Sequence, residues 1–111
     1  MKKVYICAPF TGDTKKNINV ARRWSRTAYK LGYLPICMHI YLEGATGLNE
    51  DTGDRKELLR LGLEMLKLCD ECWICTKKIS KGMEEEIDNA GAFDIKIREI
   101  YKEIKKKNEK K

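Results

Sequence analysis

Two kinds of hydrophobic pattern alternate along the chain. Continuous apolar runs lie at 4–8, 33–39 and 71–76, and a more charged run follows at 93–97. Short runs bounded by glycine, proline or charged residues are typical of buried strands. We therefore expect four strands, with Pro35 near the beginning of the second, where a missing backbone donor is tolerated.

Between these runs, apolar residues return every three or four positions, which predicts helices with one buried face. The first helix should begin near Thr14 or Lys15 and end at Gly32. A second helix covers the leucine-rich region 58–68, a third runs from about 80 to 90, and a basic helix follows the last strand. The glycine-rich segment 43–53 has no periodicity, so we interpret it as a loop.

Strands that alternate with helices indicate a parallel sheet covered on both faces. Right-handed crossovers then give an α/β fold, a small doubly wound (Rossmann- or flavodoxin-like) parallel sheet of four to five strands. Ligands of such folds bind beyond the carboxyl ends of the strands. The segments expected at that edge are 8–14, 39–53 and 77–82.

Length and charge narrow the class of protein. The chain has 111 residues, 42% of them hydrophobic, which suffices for one core. We expect one domain over 1–101 and a basic helix end or tail over 102–111. That tail holds six Lys and two Glu, so it supplies +4 of the formal net charge of +6. Because little charge remains for a folded surface, a nucleic-acid partner is not expected.

The apolar runs indicate the cellular compartment of the protein, and the positions of the cysteines indicate whether it binds a metal. No run approaches the roughly 20 residues of a membrane span, and the first residues lack the apolar region of a signal peptide. We therefore expect a cytoplasmic protein without a membrane partner, whose five cysteines are reduced. Cys72 and Cys75 lie on a predicted strand and should face opposite ways. We expect no metal site and no cofactor.

Four acids crowd positions 84, 85, 86 and 88 at the start of the third predicted helix. The apolar stripe of that helix is centred near Met83, and Glu86 lies nearest to it, about 60° away. Glu86 also follows Gly82 by about one turn, on the helix end that faces the strand tips. The alternative is an acid-rich first turn that complements the helix dipole, which explains the acids at 84 and 85 better than Glu86.

Two other candidate site residues, Ser80 and His39, each have two possible interpretations. Ser80 is either the N-cap of this helix or, with the amides of Lys81 and Gly82, a phosphate contact. His39, the only histidine, is either a packed residue or a hydrogen-bond partner for a base or phosphate. Asp70 begins its predicted strand at the opposite end from the expected site, so we expect it to be structural.

Three stretches carry a family resemblance. The first reads VYICAPFTGD at 4–13 and is followed by Asn17 and by ARR at 21–23. The second is GYLPI at 32–36 with His39 and Tyr41. The third runs from LGL at 61–63 through LCDECW at 68–73 to ISKGM at 79–83 and EI at 86–87. In this order they resemble the nucleoside 2-deoxyribosyltransferase-like superfamily, and within it a small branch found in Firmicutes and their phages.

The resemblance implies an activity and roles for particular residues. In those enzymes a glutamate four residues after a glycine attacks the anomeric carbon of a deoxyribose, and a second base or water resolves the glycosyl-enzyme. Glu86 holds that place after Gly82. Tyr5 matches a tyrosine that orients the nucleophile, and Ser80 matches a serine that contacts a 5′-phosphate. The resemblance also implies a homodimer or larger homo-oligomer.

The expected site therefore has catalytic residues and ligand contacts. The catalytic residues are Glu86 and Tyr5. The ligand contacts are Ala8, Pro9, Phe10, Thr11, Gly12, Asp13, Asn17, His39, Ser80, Lys81, Gly82 and Met83.

Two functions fit such a site. One is an N-glycosidase or deoxyribosyltransferase-like protein that acts on a nucleotide or nucleoside. The other is a non-catalytic phage-type protein that binds and sequesters a nucleotide or an ADP-ribose-derived signal.

Overall fold

The computed structural model describes residues 1–9, 14–46 and 55–109. Within these residues there are four strands and five helices. The strands are β1 (Lys3–Cys7), β2 (Leu34–Ile36), β3 (Glu71–Ile74) and β4 (Lys96–Arg98). The helices are α1 (Thr14–Lys30), α2 (Met38–Thr46), α3 (Arg55–Leu66), α4 (Lys81–Ala92) and α5 (Ile100–Glu109).

The strands form one parallel sheet in the order β2-β1-β3-β4. The chain leaves β1 for β2 on one side and then crosses to β3 on the other side, so the winding reverses between β1 and β3. Cys7 and Ile74, the last residues of these two strands, are register partners. This arrangement confirms the predicted doubly wound α/β fold and puts its switch point at the carboxyl ends of β1 and β3.

The two faces of the sheet carry separate apolar clusters. Tyr5 and Cys7 of β1 belong to one cluster and Val4 and Ile6 to the other, as strand alternation requires. Helices α3 and α4 cover the Tyr5 face, whereas α1 and α5 cover the opposite face. Gly32 ends α1 as predicted, with a φ of 90° that a side chain would disfavour.

The prediction of a strand over 33–39 is wrong for its second half. Strand β2 ends at Ile36, and α2 begins at Met38, where the amide of Tyr41 donates to the carbonyl of Cys37 at 3.1 Å. Met38 and Leu42, four residues apart, pack into the same cluster, which is a helical rather than a strand spacing. Helix α2 continues to Thr46, so the predicted loop is helical there; residues 47–54 lie outside the described ranges.

The fourth strand lies later than the predicted 93–97. Phe93 caps α4, and its amide donates to the carbonyl of Asn89 at 2.9 Å. Asp94 then adopts a left-handed φ of 57°. Aspartate tolerates this conformation better than most residues. The chain therefore turns through these residues, and pairing with β3 begins only at Lys96.

A polar cluster surrounds Glu71 at the amino end of β3, the opposite end of that strand from the switch point. The buried Glu71 accepts hydrogen bonds from Trp73 Nε1 at 2.9 Å and Arg98 Nη1 at 3.0 Å. Burial raises the pKa of Glu71, but these two bonds outweigh it and hold that pKa below its usual value. Asp70 joins β1 to β3, because its carboxylate accepts from the amide of Lys3 at 2.8 Å. The contacts of Asp70 are structural, in line with the prediction.

Within the described ranges, no helix combines the length and apolar character that crossing a bilayer would require.

Candidate functional site

The site is built first from β1, the second strand in the sheet. Its odd-numbered residues Tyr5 and Cys7 are fully buried and face α3 and α4. They lie beside Cys72 and Ile74 of β3, because Tyr5 pairs with Cys72 and Cys7 with Ile74 in the register. Strand alternation therefore presents a phenol and a thiol together near the carboxyl end of β1.

Helix α4 supplies the carboxylate. Ser80 caps this helix, with its hydroxyl accepting from the amide of Met83 at 3.2 Å. Met83, Glu86 and Ala90 are buried residues of α4, spaced three and four apart on one face. Glu86 is 5% exposed, whereas Glu84 on the same helix is exposed. The helical geometry read from the sequence thus identified the acid that faces inward.

Glu86 contacts both β1 side chains. The hydroxyl of Tyr5 donates a hydrogen bond to Oε2 of Glu86. The thiol of Cys7 lies 3.9 Å from Oε1 of Glu86 and 3.9 Å from the carbonyl oxygen of Met83, so it donates weakly to both. Each carboxylate oxygen thus faces a donor from the central region of the sheet, which fixes the orientation of the carboxyl group.

The burial of these three side chains determines which of them are protonated. Desolvation raises the pKa of Glu86 to about 7, while the hydrogen bonds from Tyr5 and Cys7 act in the opposite direction. Burial and the nearby charge of Glu86 raise the pKa of Tyr5 well above its usual value. A hydrogen bond with Cys72, burial and Glu86 likewise raise the pKa of Cys7. Tyr5 and Cys7 therefore stay protonated as donors, and Glu86 alone changes charge near neutral pH.

Gly62 of α3 packs behind this group. A Cβ atom at Gly62 would lie 2.5 Å from Sδ of Met38 and 3.3 Å from the hydroxyl oxygen of Tyr5. The first distance is impossible for a real contact without movement of Met38. The absence of a side chain at Gly62 therefore lets α3 pack closely against Met38 and the Tyr5 hydroxyl.

His39 occupies the first turn of α2 and not the end of a strand. It is 3% exposed, and its Nε2 donates to the carbonyl of Ala8 at 2.9 Å. Burial lowers the pKa of His39 to about 4, although the bond to Ala8 opposes this. A neutral His39 therefore joins α2 to the residue that follows β1, and its contact with a base or phosphate stays a prediction.

The remaining expected contacts are spread around the switch point. Ala8 is buried and Pro9 is half-buried directly after β1. Lys81 and Gly82 are exposed at the start of α4, and Asn17 is half-buried on the first turn of α1. The expected contacts Phe10, Thr11, Gly12 and Asp13 lie outside the described residues.

No group of three or more His, Cys, Asp or Glu within the described ranges could hold a metal ion. Cys72 and Cys75 lie in different clusters on opposite faces of the sheet, as their spacing on a strand predicted. All five cysteines are buried free thiols.

Two participants were not among the predicted site residues. Cys7 could have been found from the sequence, because it shares a strand face with Tyr5 and stands two residues nearer the carboxyl end. Gly62 gave a weaker signal, as a glycine within a leucine-rich helix where propensity disfavours it. A side chain at Gly62 would meet Met38 and the Tyr5 hydroxyl, which belong to distant parts of the chain.

The arrangement defines a class of site. An oriented, desolvated carboxyl group with a pKa of about 7 can serve as a nucleophile when ionised or as a general acid when protonated. It lies by the switch point of a four-stranded parallel sheet, where proteins of this class bind ligands. The molecule is thus a small Rossmann-like α/β protein with a buried carboxyl group beside the switch point of its sheet.

Comparison with known proteins gives the family. Residues 2–100 match the family model described as Domain of unknown function (DUF7768), and the chain belongs to that family. A search of the curated proteins finds no match. Among solved structures, the chain is similar to a 2-deoxyribosyltransferase from the psychrotolerant bacterium Bacillus psychrosaccharolyticus. The TM-score is 0.64 and the identity 16%, over 86% of this chain and 69% of that one. This similarity confirms a fold like that of the deoxyribosyltransferase.

Proposed function

We propose that the protein is an N-glycosidase or deoxyribosyltransferase-like enzyme that acts on a nucleotide or nucleoside, with Glu86 as its nucleophile. The observation that carries the proposal is the contact of the buried Glu86 carboxyl group with Tyr5 and Cys7. The similarity in fold to a 2-deoxyribosyltransferase supports the substrate class.

The reaction uses the ionised form of Glu86. One carboxylate oxygen attacks C1′ of the sugar, the C1′–N bond breaks, and its electron pair leaves with the base, which takes a proton from water. A second base or a water molecule then displaces Glu86 from C1′ and restores the carboxylate. Tyr5 keeps its proton throughout and holds the other oxygen of Glu86 by donation.

The substrate is proposed to carry a 5′-phosphate. Ser80 lies at the positive end of the α4 dipole, and Lys81 follows it on the exposed first turn. A helix start with a hydroxyl and a cation favours an anionic group. Ser80 already serves as the N-cap through Met83, so a phosphate would share the hydroxyl with that amide.

The test is hydrolysis and base exchange with a panel of ribo- and 2′-deoxyribonucleosides and their 5′-monophosphates. Free base is followed by chromatography, with and without a second base as acceptor. Glu86→Gln should abolish release of base, whereas the matched variant Glu84→Gln, which changes an exposed acid on the same helix, should keep wild-type rates. Mass spectrometry of acid-quenched wild type should detect a sugar adduct on the peptide that contains Glu86.

The sequestering function makes the opposite prediction for the same panel. If a nucleotide or ADP-ribose derivative co-purifies and is recovered intact after denaturation, and no substrate releases base, the enzymatic proposal is wrong. Equal rates for wild type and Glu86→Gln would refute the nucleophile even if base is released.

The proposal includes a homo-oligomer. Tyr41 on α2 is 60% exposed and Leu34 on the edge strand β2 is 43% exposed, so apolar surface is available on this side of the sheet. Light scattering coupled to size-exclusion chromatography should give at least twice the mass of the chain. A monomer mass at micromolar concentration would exclude the oligomer without affecting the roles proposed for Glu86 and Tyr5.

A further inference from the structure

The exposed face of α1 concentrates positive charge. The helix contains six basic residues and no acid. They are Lys15, Lys16, Arg22, Arg23, Arg26 and Lys30, here called the basic stripe, and all six are exposed. At 100° per residue they fall within an arc of about 120°. Folding therefore gathers on one surface as much positive charge as the whole chain carries in net terms, +6.

The basic stripe does not benefit the helix that carries it. Lys15 lies in the first turn, where the positive end of the helix dipole disfavours cations. Arg22, Arg26 and Lys30 follow one another at intervals of four, so neighbouring like charges repel. Only Lys30, in the last turn, is favourably placed for the dipole. A helix that breaks these local rules over most of its length points to a binding role.

Four members of the basic stripe have no acidic partner among the described residues. No ion pair within the described residues involves Lys15, Arg22, Arg26 or Lys30; the pairs lie on other elements, such as Arg60 with Glu57. Near the start of α1 the surface is recessed, with a depression of about 450 Å³ lined by Lys15, Lys16, Asn19, Val20 and Arg23. The positive potential of this face is therefore available to an anionic partner.

The geometry of the stripe selects among anionic partners. A membrane-bound helix turns apolar residues outward, but the apolar face of α1, including Ala21 and Ala28, is buried against the sheet. A protein interface normally has an apolar centre, which this face lacks. Tyr29 is 73% exposed at the edge of the stripe and presents a ring on which a base can stack. The stripe extends roughly 22 Å, enough to follow several successive phosphates.

We propose that the basic stripe of α1 binds the phosphate backbone of a single-stranded nucleic acid, with Tyr29 stacking on a base. The expectation that excludes nucleic acid rests on the charge of the tail at 102–111. The fold changes this distribution of charge. The cations between Lys15 and Lys30 are scattered over 16 positions of the sequence, but the helix brings them onto one surface.

The test measures binding of a fluorescent oligothymidylate of about 20 nucleotides by anisotropy, at salt concentrations from about 50 to 200 mM. The variant Arg22→Gln/Arg26→Gln/Lys30→Gln should bind at least about tenfold more weakly, with a salt slope smaller by about 2. Tyr29→Ala should also weaken binding while leaving the salt slope unchanged. The matched control Lys105→Gln/Lys106→Gln/Lys107→Gln removes the same charge from the tail and should bind more tightly than the stripe variant.

The stability of the stripe variant shows whether the cations serve binding or support the fold. Because the like charges repel, the stripe variant should unfold at the same or a higher urea concentration than wild type. Lower stability would show that the cations support the fold and would overturn the proposal. So would absence of oligonucleotide binding at the lowest salt, an equal loss in the tail control, tighter binding of a duplex than of the single strand, or binding only to vesicles containing phosphatidylserine.

Discussion

The hydroxyl of Tyr5 donates to the carboxyl group of Glu86 across 81 residues of chain. Tyr5 belongs to the first strand and Glu86 to the helix after the third, so the contact exists only when β1 and β3 are paired. Both groups are buried, and Glu86 has its pKa raised to about 7 by that burial. The pair is therefore sensitive to pH and to small changes in packing, and both properties can be measured without knowing the substrate.

The stability of the protein should decrease as pH rises through the range in which Glu86 ionises. The folded state binds this proton more tightly than the unfolded state, whose pKa is near 4.5. Stability from Glu86 is thus fully present below about pH 4.5 and is lost by pH 7 to 8, at a cost of up to about 3 kcal/mol. At pH 8 the free energy of unfolding of Glu86→Gln should exceed that of wild type by up to about 3 kcal/mol. At pH 4.5 the two proteins should have similar stability.

Urea unfolding at a series of pH values checks this prediction. The matched variant Glu84→Gln should follow the wild-type curve, since Glu84 is exposed. If Glu86→Gln and wild type show the same pH dependence between pH 5 and 8, Glu86 is not desolvated in solution.

Tyr5→Phe should raise the pKa of Glu86 further, because the hydroxyl bond stabilises the charged form. The buried carboxyl group also loses a partner, which costs about 1–3 kcal/mol of folding free energy. The midpoint of the pH dependence, in stability or in base release, should move to higher pH. An unchanged midpoint would mean that Tyr5 does not bond Glu86 in solution.

Gly62→Ala should destabilise the protein, although alanine is the better helix former. Its Cβ would meet Sδ of Met38 at 2.5 Å, and overpacking of this kind costs about 1–3 kcal/mol. The matched control is Gly91→Ala on α4, where a Cβ meets nothing within 4 Å. That variant should gain up to about 1 kcal/mol. Chemical denaturation of both variants should therefore give shifts of opposite sign.

Met38→Ala should reduce the penalty of Gly62→Ala in a double-mutant cycle, because it removes the sulfur that the new Cβ would meet. Additive effects of the two substitutions would show that they do not share a contact.

Ser80→Asp distinguishes the two interpretations of Ser80. Aspartate is as good an N-cap as serine, so stability should change by less than about 0.5 kcal/mol. Its negative charge should repel a 5′-phosphate, so the KM for a nucleotide should rise while that for the free nucleoside stays unchanged. If KM changes equally for both substrates, Ser80 acts only as the cap of α4.

Arg98→Met should destabilise the fold without altering the site. It leaves Glu71, 3% exposed, without its Arg98 partner at 3.0 Å, and such a loss costs about 1–3 kcal/mol. Lys67→Met is the matched control, because Lys67 and Glu64 form an exposed pair worth less than about 0.5 kcal/mol. Denaturation should separate the two variants, while any base-releasing activity of the folded protein should match wild type in both.

Much of the fold could be predicted from local patterns, and the errors have physical causes. The 3.6-residue period identified α1 and α4 and oriented Glu86, because a helix face is fixed by nearby residues. Helix α2 was missed because its first turn has no acidic residue and begins inside an apolar run that also suits a strand. The role of Gly62 could not be derived, since only the folded chain brings it against Met38 and Tyr5.

The pairing of β1 with β3 has a consequence for the search for a ligand. Val4 and Glu71 are register partners although most of the chain separates them, so a sheet of this contact order closes only when nearly every element is in place. A partly folded chain cannot present Tyr5 to Glu86. Any compound that binds beside this pair should therefore raise the melting temperature of the whole molecule, by an amount that grows with the logarithm of its concentration above the Kd, so thermal-shift screening of metabolites can find candidate ligands.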